Sequence, residues 1–295
     1  MLAEITQDRP PCVTRGTPLI NGNTRLIAHI GYPTHTFKSP MIYNPYFEAA
    51  GINAVVVPMA CRSENFANLM QSIFKLDNIT GALITMPHKV AVVDLLDEMS
   101  ATVRVAGACN AVKRTADGRL VGDMFDGSGF VRGVQRKGLE LRDKRAMVIG
   151  TGGVGCAIAA SLAQANVSQI SLFDIDTAAS DALAARLLQH YPHLQVETDS
   201  NDPAGHDLVV NATPLGMYLQ DPMPLDVSRL SPSTFVGEVV MREETTAFIA
   251  AARTRGCQTQ VGTDMLFEQI PAYLEFFDLP GTTAEQLRRV AELKD

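Results

Sequence analysis

Apolar positions along the chain follow two alternating rhythms. RLIAHI (25–30), NAVVVPM (53–59) and GALITM (81–86) are short, nearly unbroken apolar runs and predict buried strands. Between them, 39–50 and 63–76 carry apolar residues at helical spacing, as in Phe66, Leu69, Met70, Ile73 and Phe74. A further helix is expected near 90–106. In NAVKRTADGRLVG two strand-like runs flank Asp117-Gly118, a dipeptide that suits the tight turn of a hairpin. The second half restarts the rhythm. RAMVIG (145–150), QISLFD (169–174), HDLVVNAT (206–213) and TFVGEVV (234–240) predict strands, VGCAIAASLAQA (154–165) and 177–191 helices. The last stretch, 264–278 plus 283–294, is purely helical and could pack back across the lobe interface.

This alternation predicts an α/β fold of two lobes, with mainly parallel sheets covered by helices on both faces. The expected division is an extension over 1–24, a first lobe over 25–125, a second over 126–262, and returning helices over 263–295.

Composition narrows the function classes. The 295 residues are 46% hydrophobic, enough for a substantial core. The net charge of −7, with 25 basic and 32 acidic residues and no basic cluster, argues against a nucleic-acid platform and an anionic membrane surface. No apolar run approaches the ~20 residues of a membrane span, and the N-terminus lacks a basic-then-apolar leader pattern. Cys12, Cys61, Cys109, Cys156 and Cys257 are scattered without CxxC spacing or zinc-like neighbours, so reduced thiols in a cytoplasmic protein without a metal site are expected.

Candidate chemistry begins at VIGTGGVG (148–155), between a predicted strand and a predicted helix. Gly150 would allow the tight turn, Gly152 and Gly153 a close approach of pyrophosphate, and Gly155 close helix–strand packing; Val154 opens the helix whose N-terminus faces the phosphates. The next strand ends at Asp174, where a carboxylate would bind ribose hydroxyls, and no Arg or Lys lies in 166–185 to hold a 2′-phosphate. The expected cofactor is therefore NAD rather than NADP. Alternatively, Asp174 and Asp176 cap the following helix.

In ITMPHKVAVV, Pro87 is expected to open a helix with Lys89 in its first turn, where the helix dipole opposes a cation. Such a lysine suits proton transfer, although a solvated surface lysine fits the same residues. His88 reads as a packing or capping residue. Asp126, in GDMFDGSGF (122–130), could cap a helix or pair with a lysine across the mouth of the first lobe. Together they could share the proton of a substrate hydroxyl while hydride leaves for a nicotinamide.

The order GxP…KSP, TxPxK, GACNAV, GDxxDGxGF, GxGGxG, VNATPLGM and GxxMLxxQ, from about residue 25 to 280, resembles the shikimate dehydrogenases. The resemblance implies an N-terminal substrate-binding lobe, a Rossmann-type lobe, and reversible oxidation of a ring secondary alcohol in a small cyclic hydroxy acid by a monomer or homodimer. It implies that Lys89 and Asp126 are catalytic and that Ser39, Thr85, Asn110 and Gln269 bind substrate. On the cofactor side it implies Gly150, Gly152, Gly153, Val154, Asn211, Ala212, Thr213 and Gly262. FDID looks like the NAD-using quinate/shikimate members. A sensor that merely holds NAD would have little need of the Lys89–Asp126 pair.

Departures from the family pattern suggest altered substrate recognition. Its Ser-x-Ser-Pro carboxylate clamp is Phe37-Lys38-Ser39-Pro40 here, which puts Phe37 at a substrate-binding position. Thr36 and Lys38 are close enough in sequence to compensate for the lost hydroxyl. Met124-Phe125-Asp126 replaces Asn-Thr-Asp, Leu83 an asparagine, Tyr43 a histidine and Glu243 a proline. Phe37, Leu83 and Met124 would make the pocket less polar if they face it.

Overall fold

A computed structural model describes residues 20–293. The expected extension falls mostly outside the described residues, as does Cys12. The three apolar runs are strands β1 (Arg25–Gly31), β2 (Ala54–Ala60) and β3 (Ile79–Ile84), separated by α1 (Pro40–Ala49) and α2 (Ser63–Ile73). β1 lies between β2 and β3 and runs parallel to both, so the chain must cross over between them, which the helices accomplish.

The helix expected near 90–106 does not form. The chain instead makes a turn, a 3₁₀ turn at Val93–Leu95, a short strand β4 (Glu98–Met99) and a six-residue helix α3 (Ala101–Ala106). Tertiary pairing overrides the helical spacing. Asp97 donates its N–H to Leu120 O at 2.9 Å and accepts from Leu120 N at 2.7 Å, and Ser100 then caps α3 through Val103 N. Lys89 accordingly lies in a turn rather than a helix. Its carbonyl accepts from Cys109 N at 2.8 Å, so the dipole argument does not apply to it.

The Asp117-Gly118 hairpin forms, joining β5 (Ala111–Arg114) to β6 (Leu120–Asp123), with Gly118 at φ +91°. β5 pairs antiparallel to both β3 and β6, so the first sheet, β2-β1-β3-β5-β6-β4, carries antiparallel pairings within a mainly parallel frame, three of its five pairings being parallel.

α4 (Asp126–Arg136) leads to the second sheet: β7 (Arg145–Ile149), α5 (Gly153–Gln164), β8 (Gln169–Phe173), α6 (Thr177–His190), β9 (Gln195–Glu197), β10 (Leu208–Asn211), β11 (Phe235–Glu238), α7 (Ala247–Thr254) and β12 (Gln258–Gln260). Its order, β12-β11-β10-β7-β8-β9, is parallel throughout, with a switch point between β7 and β10. In such sheets ligands bind outside the carboxyl ends of the strands at the switch point.

α8 (Gly262–Phe276) and α9 (Ala284–Val290) close the structure. Leu266, Phe267, Ile270 and Tyr273 of α8 and Leu287 of α9 share one apolar cluster with Ile27, Ile42, Tyr43 and Phe47, so both helices pack on the first lobe. α4 sits between α5 and α8, and its small residues let it do so. A Cβ on Gly127 would lie 1.9 Å from Ala157 O, and one on Gly129 2.8 Å from Met265 O. The crevice mouth is thereby fixed by tight helix contacts rather than by a loose linker.

Candidate active site

Lys89, from the turn after β3, and Asp126, at the first position of α4, form an ion pair and a hydrogen bond between Nζ and Oδ2. Asp126 makes no side-chain cap; its neighbour Phe125 is the N-cap residue, and its partner is the lysine across the crevice. Thr85 precedes that turn and donates its N–H to Ile30 O, which ties the end of β3 to β1. His88 has a packing role. Its ring is buried, stacked on Phe66 at 4.0 Å, and held by a contact of Nε2 with Cys61 O at 2.8 Å.

Two buried amides border the pair. Asn110 Oδ1 accepts from Phe125 N at 2.9 Å, beside Asp126, while its Nδ2 has no partner. Gln269, on α8, abuts the first turn of α4: a Cβ on Gly129 would lie 2.7 Å from Gln269 Cβ. Gln269 Oε1 is likewise buried without a partner. Unpaired buried polar atoms are rare because each costs free energy, so this donor and acceptor are free to meet a polar ligand beside the ion pair. Tyr273, one turn further along α8, donates its O–H to Asn110 O at 3.4 Å; burial, then the charge of Asp126, raises the pKa of its phenol.

The clamp loop is less complete. Ser39 stands at the start of α1 without a capping hydrogen bond from its hydroxyl. Thr36 is exposed and Lys38 half-buried, and neither side chain has a hydrogen-bond partner among the described residues. Phe37 is half-buried and stacks on His29 at 4.0 Å. Leu83 and Met124 are buried in the apolar clusters, and Tyr43 is buried with its hydroxyl unpartnered. Of the substituted positions, Phe37 and Phe125 are half-buried, and Phe37 reaches the space beside Gly31 that Thr85 also reaches.

The glycine-rich loop lies against the Lys89–Asp126 pair. A Cβ on Gly153 would sit 3.5 Å from Lys89 Cβ. Gly150, at φ +92°, passes so close to the turn after β10 that a Cβ would meet Ala212 C and Thr213 Cγ2 at 2.9 Å. Gly152 is exposed with open space where a side chain would be, and Val154, the second residue of α5, is half-buried beside it. This is the cradle a pyrophosphate needs: bare backbone at a helix N-terminus. Asn211 is fully buried and spends its side chain locally, accepting from Thr213 N and donating to Leu215 O and Glu238. Glu238 also accepts from Val239 N, Val240 N and Thr246 Oγ1; burial raises its pKa. Gly262 opens α8 against the β11 exit, where a Cβ would strike Val240 O at 2.4 Å, so it shapes backbone packing there.

Sequence reasoning passed over His29, Tyr273 and Glu238. A lone histidine or glutamate within an apolar strand was the available signal for His29 and Glu238. Tyr273 on α8 carried none, since an aromatic at helical spacing is ordinary core. Cys61, Cys109, Cys156 and Cys257 are buried free thiols, as expected.

A family model described as the shikimate dehydrogenase substrate binding domain matches residues 29–112. Among curated proteins, the chain is 33% identical over 273 residues to a shikimate dehydrogenase (NADP(+)) of Acidiphilium cryptum, covering 92% of this chain and 97% of that one. A second relative of the same name, from Rubrobacter xylanophilus, is 34% identical over 256 residues, 85% and 90% of the two chains. Among solved structures, a shikimate 5-dehydrogenase of Listeria monocytogenes in complex with shikimate and NAD superposes with a TM-score of 0.85 at 25% identity, covering 93% of this chain and 98% of that one. A shikimate dehydrogenase in complex with NADP+ gives the same TM-score and identity, covering 92% and 96%.

These relatives overturn the expected choice of NAD over NADP, since the curated ones bear the NADP(+) name. The structure supplies a physical reason why Asp174 misled. Its Oδ2 accepts from Thr151 N at 2.6 Å and Thr151 Oγ1 at 3.0 Å, and its Oδ1 from Asp176 N at 3.0 Å. Burial alone would raise its pKa, but these donors outweigh it and hold the carboxyl below its ordinary value. Asp174 is thus a tether for the glycine loop, and its presence does not report a ribose diol. Asp176 separately caps α6 through Ala178 N.

Proposed function

The chain belongs to the shikimate dehydrogenase family, and from that premise we propose that it oxidises a ring secondary alcohol of a small cyclic hydroxy acid reversibly, with NADP(H). The carrying observation is the Lys89–Asp126 pair against the glycine loop, bordered by the unpaired Asn110 Nδ2 and Gln269 Oε1. Gly150, Gly152, Gly153 and the first amides of α5 would hold the dinucleotide, with Ala212 and Thr213 along its flank. When bound, it supplies the hydride acceptor. Lys89, in its neutral amine form, takes up the hydroxyl proton as the carbon–hydrogen bond breaks, and Asp126 orients the resulting ammonium and balances its charge. Asn110 donates to, and Gln269 accepts from, ring hydroxyls, which fixes the reacting carbon near Lys89. Thr85 and Ser39 complete the substrate's polar contacts.

Recognition differs from that of an ordinary family member at Phe37, whose ring cannot donate a hydrogen bond. A cyclic acid with a less hydroxylated face is the expected preferred substrate, and shikimate itself turns over more slowly. The test is NADPH formation across shikimate, quinate and less hydroxylated cyclic acids. Selective oxidation by the wild type, lost in Lys89→Ala, supports the reading. Equal rates on shikimate and every other acid would remove the altered recognition, and full activity of Lys89→Ala would remove the mechanism.

A further inference from the structure

The unabsorbed feature nearest the site is His29. It lies on β1 opposite Leu83 of β3, 6% exposed, with its imidazole stacked on Phe37. Gly31, two residues on, leaves the space into which Phe37 Cζ and Thr85 Cγ2 both reach, 2.9 and 2.4 Å from where a Cβ would stand. His29 is therefore held in the wall that carries Thr85, beside the incomplete clamp. Neither ring nitrogen has a hydrogen bond among the described residues, and Nδ1 is sealed from solvent. A sealed N–H without an acceptor costs more than a sealed lone pair. Nε2 is not among the sealed atoms, so a proton on Nε2 leaves the ring without a sealed, unpartnered N–H.

We infer that His29, held in place by Phe37, is a specificity-determining residue that donates Nε2–H to the substrate's carboxylate in place of the second clamp hydroxyl. On this account Phe37 exchanges one donor for another: it removes a hydroxyl and packs an imidazole into position. Burial, then the neighbouring Lys89 charge, lowers the His29 pKa to about 3, so the ring is a neutral donor at neutral pH. The inference rests on the proposed cyclic-acid substrate and adds which group reads the acid.

The test uses the full chain with shikimate as probe, in the presence of NADP+. His29→Leu should weaken shikimate binding about tenfold or more, as expected for a lost hydrogen bond to a charged group, with kcat changed less than about threefold. The loss should be much smaller for the methyl ester of shikimate, whose acid is neutral. His29→Gln, which places an amide N–H near the Nε2 position, should restore most of the affinity and also controls for folding. Nitrogen NMR of the wild-type imidazole should show the Nε2–H tautomer and a shift of Nε2 on adding shikimate. Equal losses for acid and ester, no rescue by glutamine, no binding of shikimate, or an imidazole indifferent to it would each overturn the inference. If shikimate binds with these signatures but no alcohol reduces NADP+, the proposed reaction fails while this assignment stands.

Discussion

Lys89 and Asp126 come from different elements and meet with both side chains largely withdrawn from water, 13% and 5% exposed. Removing one partner leaves the other charge buried alone, which costs about 3–5 kcal/mol, whereas replacing both is far less harmful. Lys89→Met should therefore lower stability in chemical denaturation, and Lys89→Met with Asp126→Asn should recover much of it. Activity should not recover: a lost general acid/base costs about 100- to 10,000-fold in kcat, and the double variant should be no more active than the single. Recovered stability without recovered turnover separates the two roles; recovered turnover would count against the lysine as proton carrier. His29 gives a second residue-scale prediction. Its folded pKa, about 3, lies below its ordinary 6.5, so the unfolded chain binds the proton more readily. Its stabilising contribution is complete above pH 6.5 and is lost as pH falls from there toward 3. Between pH 7 and pH 5 the wild type should lose on the order of 2 kcal/mol that His29→Gln does not lose, as read from paired denaturation curves. Lys89 and Asp126 were legible because motif spacing exposes them. His29 was hidden because only the fold brings a strand histidine under Phe37.

Elements were legible where the signal is local and illegible where pairing decides. β1, β2, β3 and the hairpin at Gly118 follow directly from apolar runs and one turn dipeptide. The stretch 90–106 fails because Asp97 pairs with Leu120 through its backbone N–H and its carboxylate, which offers more than the helical spacing does. The cofactor inference failed for a related reason, since Asp174 spends its carboxylate on Thr151 and Asp176. Asp174→Ala should therefore loosen the loop and weaken binding of NADP+ and NAD+ alike, rather than exchange one for the other; isothermal titration with both would show it. α4 carries a different element-scale constraint. Its Gly127 faces Ala157 O at a distance where no Cβ fits, so Gly127→Ala must push α4 away from α5. Overpacking of this kind costs about 1–3 kcal/mol or more, and it displaces Asp126 from Lys89. The expected outcome is a lowered melting temperature together with lost activity, where a surface control such as Gly138→Ala need not lose activity.

At the scale of the whole molecule, the two sheets are not independent bodies. α4 and α8 touch each other, α8 covers Ile27, Ile42, Tyr43 and Phe47 of the first lobe, and Arg136 pairs with Glu268 at 2.8 Å. One apolar cluster also runs from Ala28 and Ile84 of the first sheet to Val148 and Val210 of the second. Loss of α8 and α9 would expose that apolar face, so the lobes should unfold together. Cofactor binding tests this, because the glycine loop belongs to the second sheet while β1 and β3 belong to the first. NADP+ at about one hundred times its dissociation constant stabilises whatever unit binds it by about 2.7 kcal/mol, a factor of about 100 in global opening. Hydrogen exchange of the slowest amides in β1 and β3 should then slow by about that factor, along with those of β7 and β10. Protection confined to the second sheet would mean that the first opens alone. The loop around Phe37, Thr85 and His29 would then be able to separate from Asp126 without unfolding the second lobe.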